Sequence, residues 1–172
     1  MTYNIRKTQQ SDLEHLQTVE RSAANAFRAF PELAWLADDG VTSIEEHKRI
    51  LAQGSSWVAF NTTSHVIAGF ILAEIIESDF YIKEVSVSGA HQKKGIGSKL
   101  FAIALKNAKS LGVPYATLTT FRDVPWNAPY YERLGFVTLT KDVLPRYLKE
   151  TLQEETNLGL PSNRRCAMRK TL

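Results

Sequence analysis

The segment from Phe80 to Leu111 restricts the fold more than any other part of the chain. Phe80–Ser88 alternates: Val85 and Val87 point to one face, and Glu84, Ser86 and Ser88 to the other, which is the period of a strand. The chain then turns through His91-Gln92-Lys93-Lys94-Gly95-Ile96-Gly97-Ser98. From there Ile96, Leu100, Ile103, Ala104, Ala108 and Leu111 recur at helical spacing, with Lys99, Lys106 and Lys109 off the stripe. Gly112 and Pro114 stop that helix. A strand that runs through such a turn into a helix puts the turn where backbone N–H groups lack helical partners and the macrodipole favours an anion. Gly95 and Gly97 permit unusual backbone angles and keep side chains clear of a phosphate, and Lys93 and Lys94 add positive charge. A bare Gly-x-Gly is equally a plain connecting turn; the glutamine, the lysines and the flanking strand and helix argue for more.

The rest of the chain is consistent with one domain built on one sheet. Residues 3–7 read as a first strand. Ser11-Asp12 precede a helix with Leu13, Leu16, Val19, Ala23 and Phe27 on one side. The stretch from Phe27 to Gly40, holding Pro31, Trp35, Asp38 and Asp39, reads as irregular. Residues 43–53 predict a second helix, with Ser43 and Glu46 as a capping box. Ser56–Phe60 and His65–Glu77 flank Asn61-Thr62-Thr63-Ser64 as an antiparallel hairpin, and the second of these is apolar enough to be buried on both faces. The sequon at Asn61 reads as turn chemistry. Tyr115–Phe121, Phe136–Thr140 and Arg164–Arg169 predict further strands, with a short helix over Trp126–Leu134 and a helical or irregular excursion before the last strand. The fold class is α+β: a mixed, mostly antiparallel sheet of about seven strands with helices on both faces, and residues 1–172 form a single domain.

Composition narrows the function. The chain has 172 residues and a formal net charge of +3, too little to argue nucleic-acid binding. No apolar run has the length of a membrane span or a signal peptide, so neither membrane association nor secretion is expected. Cys166 stands alone, which excludes an intrachain disulfide and favours a reducing, cytoplasmic setting. His15, His47, His65 and His91 show no metal-ligand spacing; they read as surface or loop residues, and no metal is expected.

Two familiar nucleotide motifs fit the glycine loop poorly. Leu100 stands where a dinucleotide fingerprint needs its third small residue, and no Gly-Lys-Ser/Thr follows. The loop instead resembles the Gln/Arg-x-x-Gly-x-Gly/Ala pyrophosphate loop of the GNAT N-acetyltransferases. Asn127-Ala128-Pro129-Tyr130-Tyr131-Glu132-Arg133-Leu134-Gly135-Phe136 is similar to the same family's second signature, an asparagine followed by Tyr-x-x-x-Gly-Phe. Pro129 departs from the commoner pattern at a position where a first helical turn tolerates proline. The resemblance spans roughly residues 3–140 and the last strand, and weakens around 27–42 and 141–163.

The resemblance implies acetyl-CoA as co-substrate. It implies pyrophosphate contacts at Gln92, Lys93, Lys94, Gly95, Gly97 and Ser98, and a pantetheine arm paired with the strand at Val85 and Val87. It implies a pantetheine contact at Asn127 and Tyr131 near the thioester sulfur. The chemistry needs an ammonium to lose a proton and a thiolate to gain one. Glu84 is the base candidate, by direct contact or through water, and is otherwise a solvated or paired strand carboxylate. Tyr131 is the acid candidate and is otherwise a packing residue; Tyr130 is expected to pack on the opposite side. Phe121 and Trp126 are either acceptor-pocket or core aromatics. Cys166 reads as a packed strand thiol. The acceptor is expected to be a small-molecule amine, with a protein or peptide amine, or a non-catalytic acyl-CoA-binding module, as alternatives. The sequence leaves acyl-chain preference and oligomeric state open, a homodimer included.

Overall fold

The computed structural model describes residues 2–172. The elements run β1 (Tyr3–Lys7), α1 (Leu13–Ala24), α2 (Ile44–Gln53), β2 (Ser55–Asn61), β3 (Ile67–Ile76), β4 (Asp79–Val87), α3 (Ile96–Ser110), β5 (Tyr115–Phe121), α4 (Ala128–Arg133), β6 (Val137–Thr138), α5 (Arg146–Asn157) and β7 (Arg165–Thr171). The strands form one seven-stranded sheet in the order β1-β2-β3-β4-β5-β7-β6. Antiparallel ladders join β1 to β2, β2 to β3, β5 to β7 and β6 to β7. β4 and β5 pair in parallel through Asp79↔Tyr115, Phe80↔Ala116 and Tyr81↔Thr117, at the start of both strands. The mixed α+β sheet expected from the sequence is present, and the excursion before the last strand is the helix α5. The residues fall into two compact units, one up to Glu74 with Glu84–Lys106, the other Ile75–Lys83 with Asn107–Leu172.

In the first unit α1 and α2 lay Leu13, Leu16, Val19 and Ile50 against Val58, Ile67, Phe70 and Leu72 of the sheet. Each such side chain is worth about 1.5–3 kcal/mol when fully buried. Of the capping box expected at α2, the Ser43 half is present. Ser43 Oγ accepts from the Glu46 N–H at 3.1 Å, while the Glu46 carboxylate pairs with Arg49 at 2.7 Å. Ahead of α1, Asp12 accepts from Arg6 and from the Gln9 N–H. Burial alone would raise the Asp12 carboxyl; those donors hold it below its ordinary range. The hairpin turn uses Asn61 as its sequence suggests, with Asn61 Oδ1 accepting from the N–H groups of Thr63 (2.9 Å) and Ser64 (3.0 Å). The stretch after α1 is two short 3₁₀ turns, Asn25–Ala29 and Ala34–Ala37. Arg28 and Asp38 bridge them in a two-pronged ion pair.

In the second unit Tyr81, Leu139, Tyr147, Leu148 and Ala167 form the core, with Ile76, Leu144 and Leu152 at its margin. α5 is tied to the sheet twice. The Tyr147 hydroxyl donates to Asp79 at 2.9 Å and lies 2.6 Å from Thr117 Oγ1. Arg165 pairs with Glu155 at 2.9 Å, and its guanidinium stacks over the Phe121 ring. Cys166 is buried on β7, and burial pushes its thiol up, as a packed strand thiol requires.

The structure corrects the expected stripe of α3. Phe101 is buried with Ile96, Leu100, Ala104 and Ala108, whereas Ile103 and Leu111 are exposed. The buried side is rotated slightly from the expected stripe, so that Phe101, in register with Ala104 and Ala108, enters it and Ile103 leaves it. His47 is a second correction. It was expected at the surface, yet it is 1% exposed on α2, edge-on to Phe70, and neither ring nitrogen has a hydrogen-bond partner among the described residues.

Burial of His47 lowers its proton affinity, with neighbouring Glu46 opposing weakly. The imidazole is therefore neutral in the fold, while in the unfolded chain it takes a proton below about pH 6.5. Its contribution to stability is intact above that pH and is lost as pH falls below it, by at most about 1.4 kcal/mol per pH unit. Replacing His47 with Leu is expected to flatten this acid limb. Urea unfolding of both proteins at pH 7.5 and 5.0 measures it; an unchanged difference between the two pH values would overturn the assignment.

Candidate functional site

The site is built from the end of β4 upward. Lys83 is exposed, Glu84, Val85 and Val87 are half-buried, and Ser86 is buried. Ser86 Oγ donates to Glu84 Oε1 at 2.7 Å, which places the two side chains on one face, as the alternation predicts, and holds the carboxylate in a fixed orientation.

Past β4 a 3₁₀ turn, Gly89–His91, leads into the glycine loop. Here Lys93 has φ +59° and Gly95 has φ +75°, while neither Lys94 nor Ile96 has positive φ. Residues of alternating hand turn successive N–H groups to one side and make a concave anion-binding nest. α3 starts immediately at Ile96, and the Lys99 N–H donates to the Gly95 carbonyl at 3.2 Å. A nest of this kind beside a helix start is an arrangement that favours an anion. No Cβ would meet any atom within 4 Å at Gly95, so its glycine is required by φ rather than by space. Gly97 lies inside the helix without positive φ; of the two glycines, only Gly95 adopts the unusual backbone angle expected for both.

Two of the proposed contact residues also brace the loop. Gln92 Nε2 donates to the Val87 carbonyl at 3.0 Å, and Lys94 Nζ donates to the Ala90 carbonyl at 2.9 Å. Gly69 on β3 completes the arrangement from below. A Cβ there would lie 2.9 Å from the Ser86 carbonyl oxygen, 3.1 Å from Val87 Cγ2 and 3.3 Å from Ile96 Cγ2. Its absence lets the strand and the helix start settle onto β3. Sequence reasoning assigned Gly69 nothing, although a lone glycine inside an apolar strand is the signal of a close approach.

The second signature is in the other unit. Asn127 is the N-cap of α4, with its carbonyl accepting from the N–H groups of Tyr130 (2.8 Å) and Tyr131 (3.0 Å). Pro129 stands in the first turn, where it removes no helical bond. Gly135 ends the segment at φ +90°, and the Phe136 N–H returns to the Tyr131 carbonyl at 3.0 Å. Tyr131 is 7% exposed, its ring edge-on to Phe136 at 6.2 Å. Tyr130 does not turn away as expected: its ring meets that of Tyr131 at 5.5 Å, and Arg133 covers it. Phe121 is buried beneath Arg165, whereas Trp126 is exposed. Among the described residues no helix is long and apolar enough to cross a membrane.

The profile of the Acetyltransferase (GNAT) family matches residues 15–136, which include the glycine loop and the second signature. The fold is similar to that of the PaiA N-acetyltransferase from Thermoplasma acidophilum in complex with coenzyme A, at 20% identity over 100% of both chains and a TM-score of 0.72. It is also similar to a GNAT-family acetyltransferase from Staphylococcus aureus, at 17% identity over 99% of each chain and a TM-score of 0.73. A third is the ribosomal-protein-S18-alanine N-acetyltransferase from Escherichia coli, at 17% identity over 99% of this chain and 94% of that one, with a TM-score of 0.65.

The two glycines should answer substitution differently. Gly69→Ala must displace backbone, and overpacking of this kind costs about 1–3 kcal/mol. Gly95→Ala meets open space and carries only the left-handed penalty, about 1–2 kcal/mol, which Gly95→Asn should reduce because asparagine tolerates that region. Chemical denaturation of the three variants checks this; Asn at position 95 proving worse than Ala would contradict the backbone argument.

Proposed function

Because the chain belongs to the acetyltransferase (GNAT) family, we propose that it moves an acetyl group from acetyl-CoA to the primary amine of a small molecule, by direct attack in a ternary complex. The observation that carries this reading is the nest of alternating hand at Lys93–Ile96, continuous with the first turn of α3. Such a surface suits the pyrophosphate of a CoA thioester: backbone N–H groups supply the donors, Gly95 and Gly97 present no side chain, and Lys93, Lys94 and Ser98 border it. Val85 and Val87 lie on β4 beyond the three residues that pair with β5, and their backbone is assigned to the pantetheine arm, with Asn127 as a further contact.

The chain's own groups then have two tasks. Glu84, directly or through a water, takes the proton that an alkylammonium must lose before its nitrogen can attack. The amine forms the C–N bond to the acetyl carbon, the C–S bond breaks, Tyr131 supplies a proton to the departing sulfur, and the second proton that the nitrogen sheds as the amide forms returns Tyr131 to its neutral state. Cys166, buried and with its thiol pushed up, takes no part as a nucleophile.

The acceptor is read as a small molecule, and a peptide amine is the second candidate. The Escherichia coli protein of similar fold is named for acetylation of a ribosomal protein, which makes that arm of the test necessary. Thiol release from acetyl-CoA, followed with a panel of amines, polyamines, aminoglycosides and peptides, separates the two. Thiol release with peptides alone would overturn the small-molecule assignment, and no release with any acceptor would overturn catalysis.

Tyr131→Phe keeps the ring and deletes one hydroxyl. It is expected to lower kcat about 10²–10⁴-fold while CoA affinity by calorimetry barely changes. Full activity would return Tyr131 to a packing role.

Glu84→Gln keeps the size and removes the charge. The loss in kcat/KM should be greatest at low pH, where little free amine exists, and should shrink as pH rises and neutral amine becomes available without help. Superimposable pH profiles for wild type and variant, with one amine, would remove Glu84 from the role of base.

A further inference from the structure

The nest does not hold itself. Lys93 is a non-glycine residue in the left-handed region, and such conformations persist where surrounding structure over-determines them. The turn immediately before it, Ser88–Gln92, is fixed from several directions. The Ser88 N–H donates to the Ala68 carbonyl of β3 at 2.9 Å, and the Gly89 N–H donates to Ser22 Oγ of α1 at 3.0 Å. The hydroxyl of Tyr3, on β1, lies 2.8 Å from His91 Nδ1 in a hydrogen bond, and the two rings meet edge-on at 5.6 Å and 85°. Tyr3 is 5% exposed, so this bond is shielded from competing water on the tyrosine side. The partners are 88 residues apart in the chain. His91 immediately precedes Gln92, whose amide in turn anchors the loop on the Val87 carbonyl. The edge strand thus reaches the turn that leads into the nest, through one buried side chain.

The geometry points to Tyr3 and His91 as positioning residues for the pyrophosphate loop: the Tyr3–His91 bond fixes where the chain enters the nest, and thereby sets affinity for the diphosphate part of the donor rather than the rate of acyl transfer. The inference rests on the reading of that loop as the CoA site. Neither residue touches the donor in this scheme. Their effect is preorganisation, so removing the bond makes the loop order itself at the expense of binding.

The test compares two donors on the full-length protein: acetyl-CoA, and S-acetyl-pantetheine, which carries the same thioester and lacks the diphosphate. Tyr3→Phe retains the ring and loses the hydroxyl. It should raise KM for acetyl-CoA about 2–10-fold, the range of one hydrogen bond, with kcat held within a factor of two and kcat/KM for S-acetyl-pantetheine unchanged. His91→Ala should do the same, and His91→Asn, which keeps an acceptor at the δ position, should recover much of the loss. The double variant Tyr3→Phe/His91→Ala should be no worse than either single change, since both remove one interaction. Equal losses with both donors would mean that the pair merely stabilises the fold. An unchanged KM for acetyl-CoA would mean that the bond does not position the loop, and either result overturns the proposal. Wild-type protein that shows no heat of CoA binding would overturn the CoA reading and this inference together, and the calorimetry distinguishes that case from the other two.

Discussion

The close approach at Gly69 is the constraint on which the donor-rich surface depends. With no side chain there, the Ser86 carbonyl, Val87 and Ile96 all come within 3.3 Å of where a Cβ would stand. β3 is buried along Ile67–Ala73, so nothing on that side can yield to make room. Strand β4 and the start of α3 are therefore fixed relative to β3 before any ligand is considered. Between Val87 and Ile96 the chain must reverse in a few residues. Positive φ at Lys93 and Gly95 is how it does so. Alternating φ of this kind is the pattern from which anion-binding nests are built, so tight packing of helix and strand is compatible with the proposed donor site.

The polar groups around that turn show why its side chains matter less as ligands than their charges suggest. Gln92 and Lys94 each donate to a carbonyl of the same short segment, Val87 and Ala90. A lysine engaged this way still contributes positive potential to the nest, but it holds the loop's shape as well. Glu84 is handled similarly. Its carboxylate receives the Ser86 hydroxyl, which limits its rotamers and points it along one face of β4. In each case a local bond restricts a side chain that would otherwise sample several orientations, and an ordered group loses less entropy when a substrate arrives.

The features legible in the sequence are those written in short-range pattern. Alternation gave β4, glycine and proline gave the end of α3, and Ser43 three residues before Glu46 gave the start of α2. Asn127 and Gly135 bracket α4 as the signature spacing implies, because a six-residue helix is largely decided by its caps. What the sequence hid depends on partners far away in the chain. His47 reads as polar on an amphipathic helix, and only the packing of α2 on Phe70 shows that it is buried with no hydrogen bond to its ring among the described residues. Tyr3 and His91 look like an edge aromatic and a loop histidine until β1 is placed beside β2 and the turn closes on it. Phe101 belongs to the buried face of α3 because that face is rotated slightly from the stripe drawn through Ile96 and Ile103.

The second unit shows the same division between pattern and partnership, with a different outcome. Asp79 opens β4, Thr117 lies in β5 and Tyr147 in α5, and nothing in their spacing links them. Yet all three are buried and share one hydroxyl: Tyr147 donates to Asp79 and stays within 2.6 Å of Thr117. Burial raises the Tyr147 phenol, and the adjacent Asp79 raises it further despite Thr117, so the hydroxyl keeps its proton across the physiological range. A phenol that cannot ionise is a poor acid or base, and a buried carboxylate that it satisfies is not free to react. Placed at the point where β4 and β5 pair in parallel, the triad works as a peg that sets α5 on the sheet. A strongly shifted titratable group marks structure here.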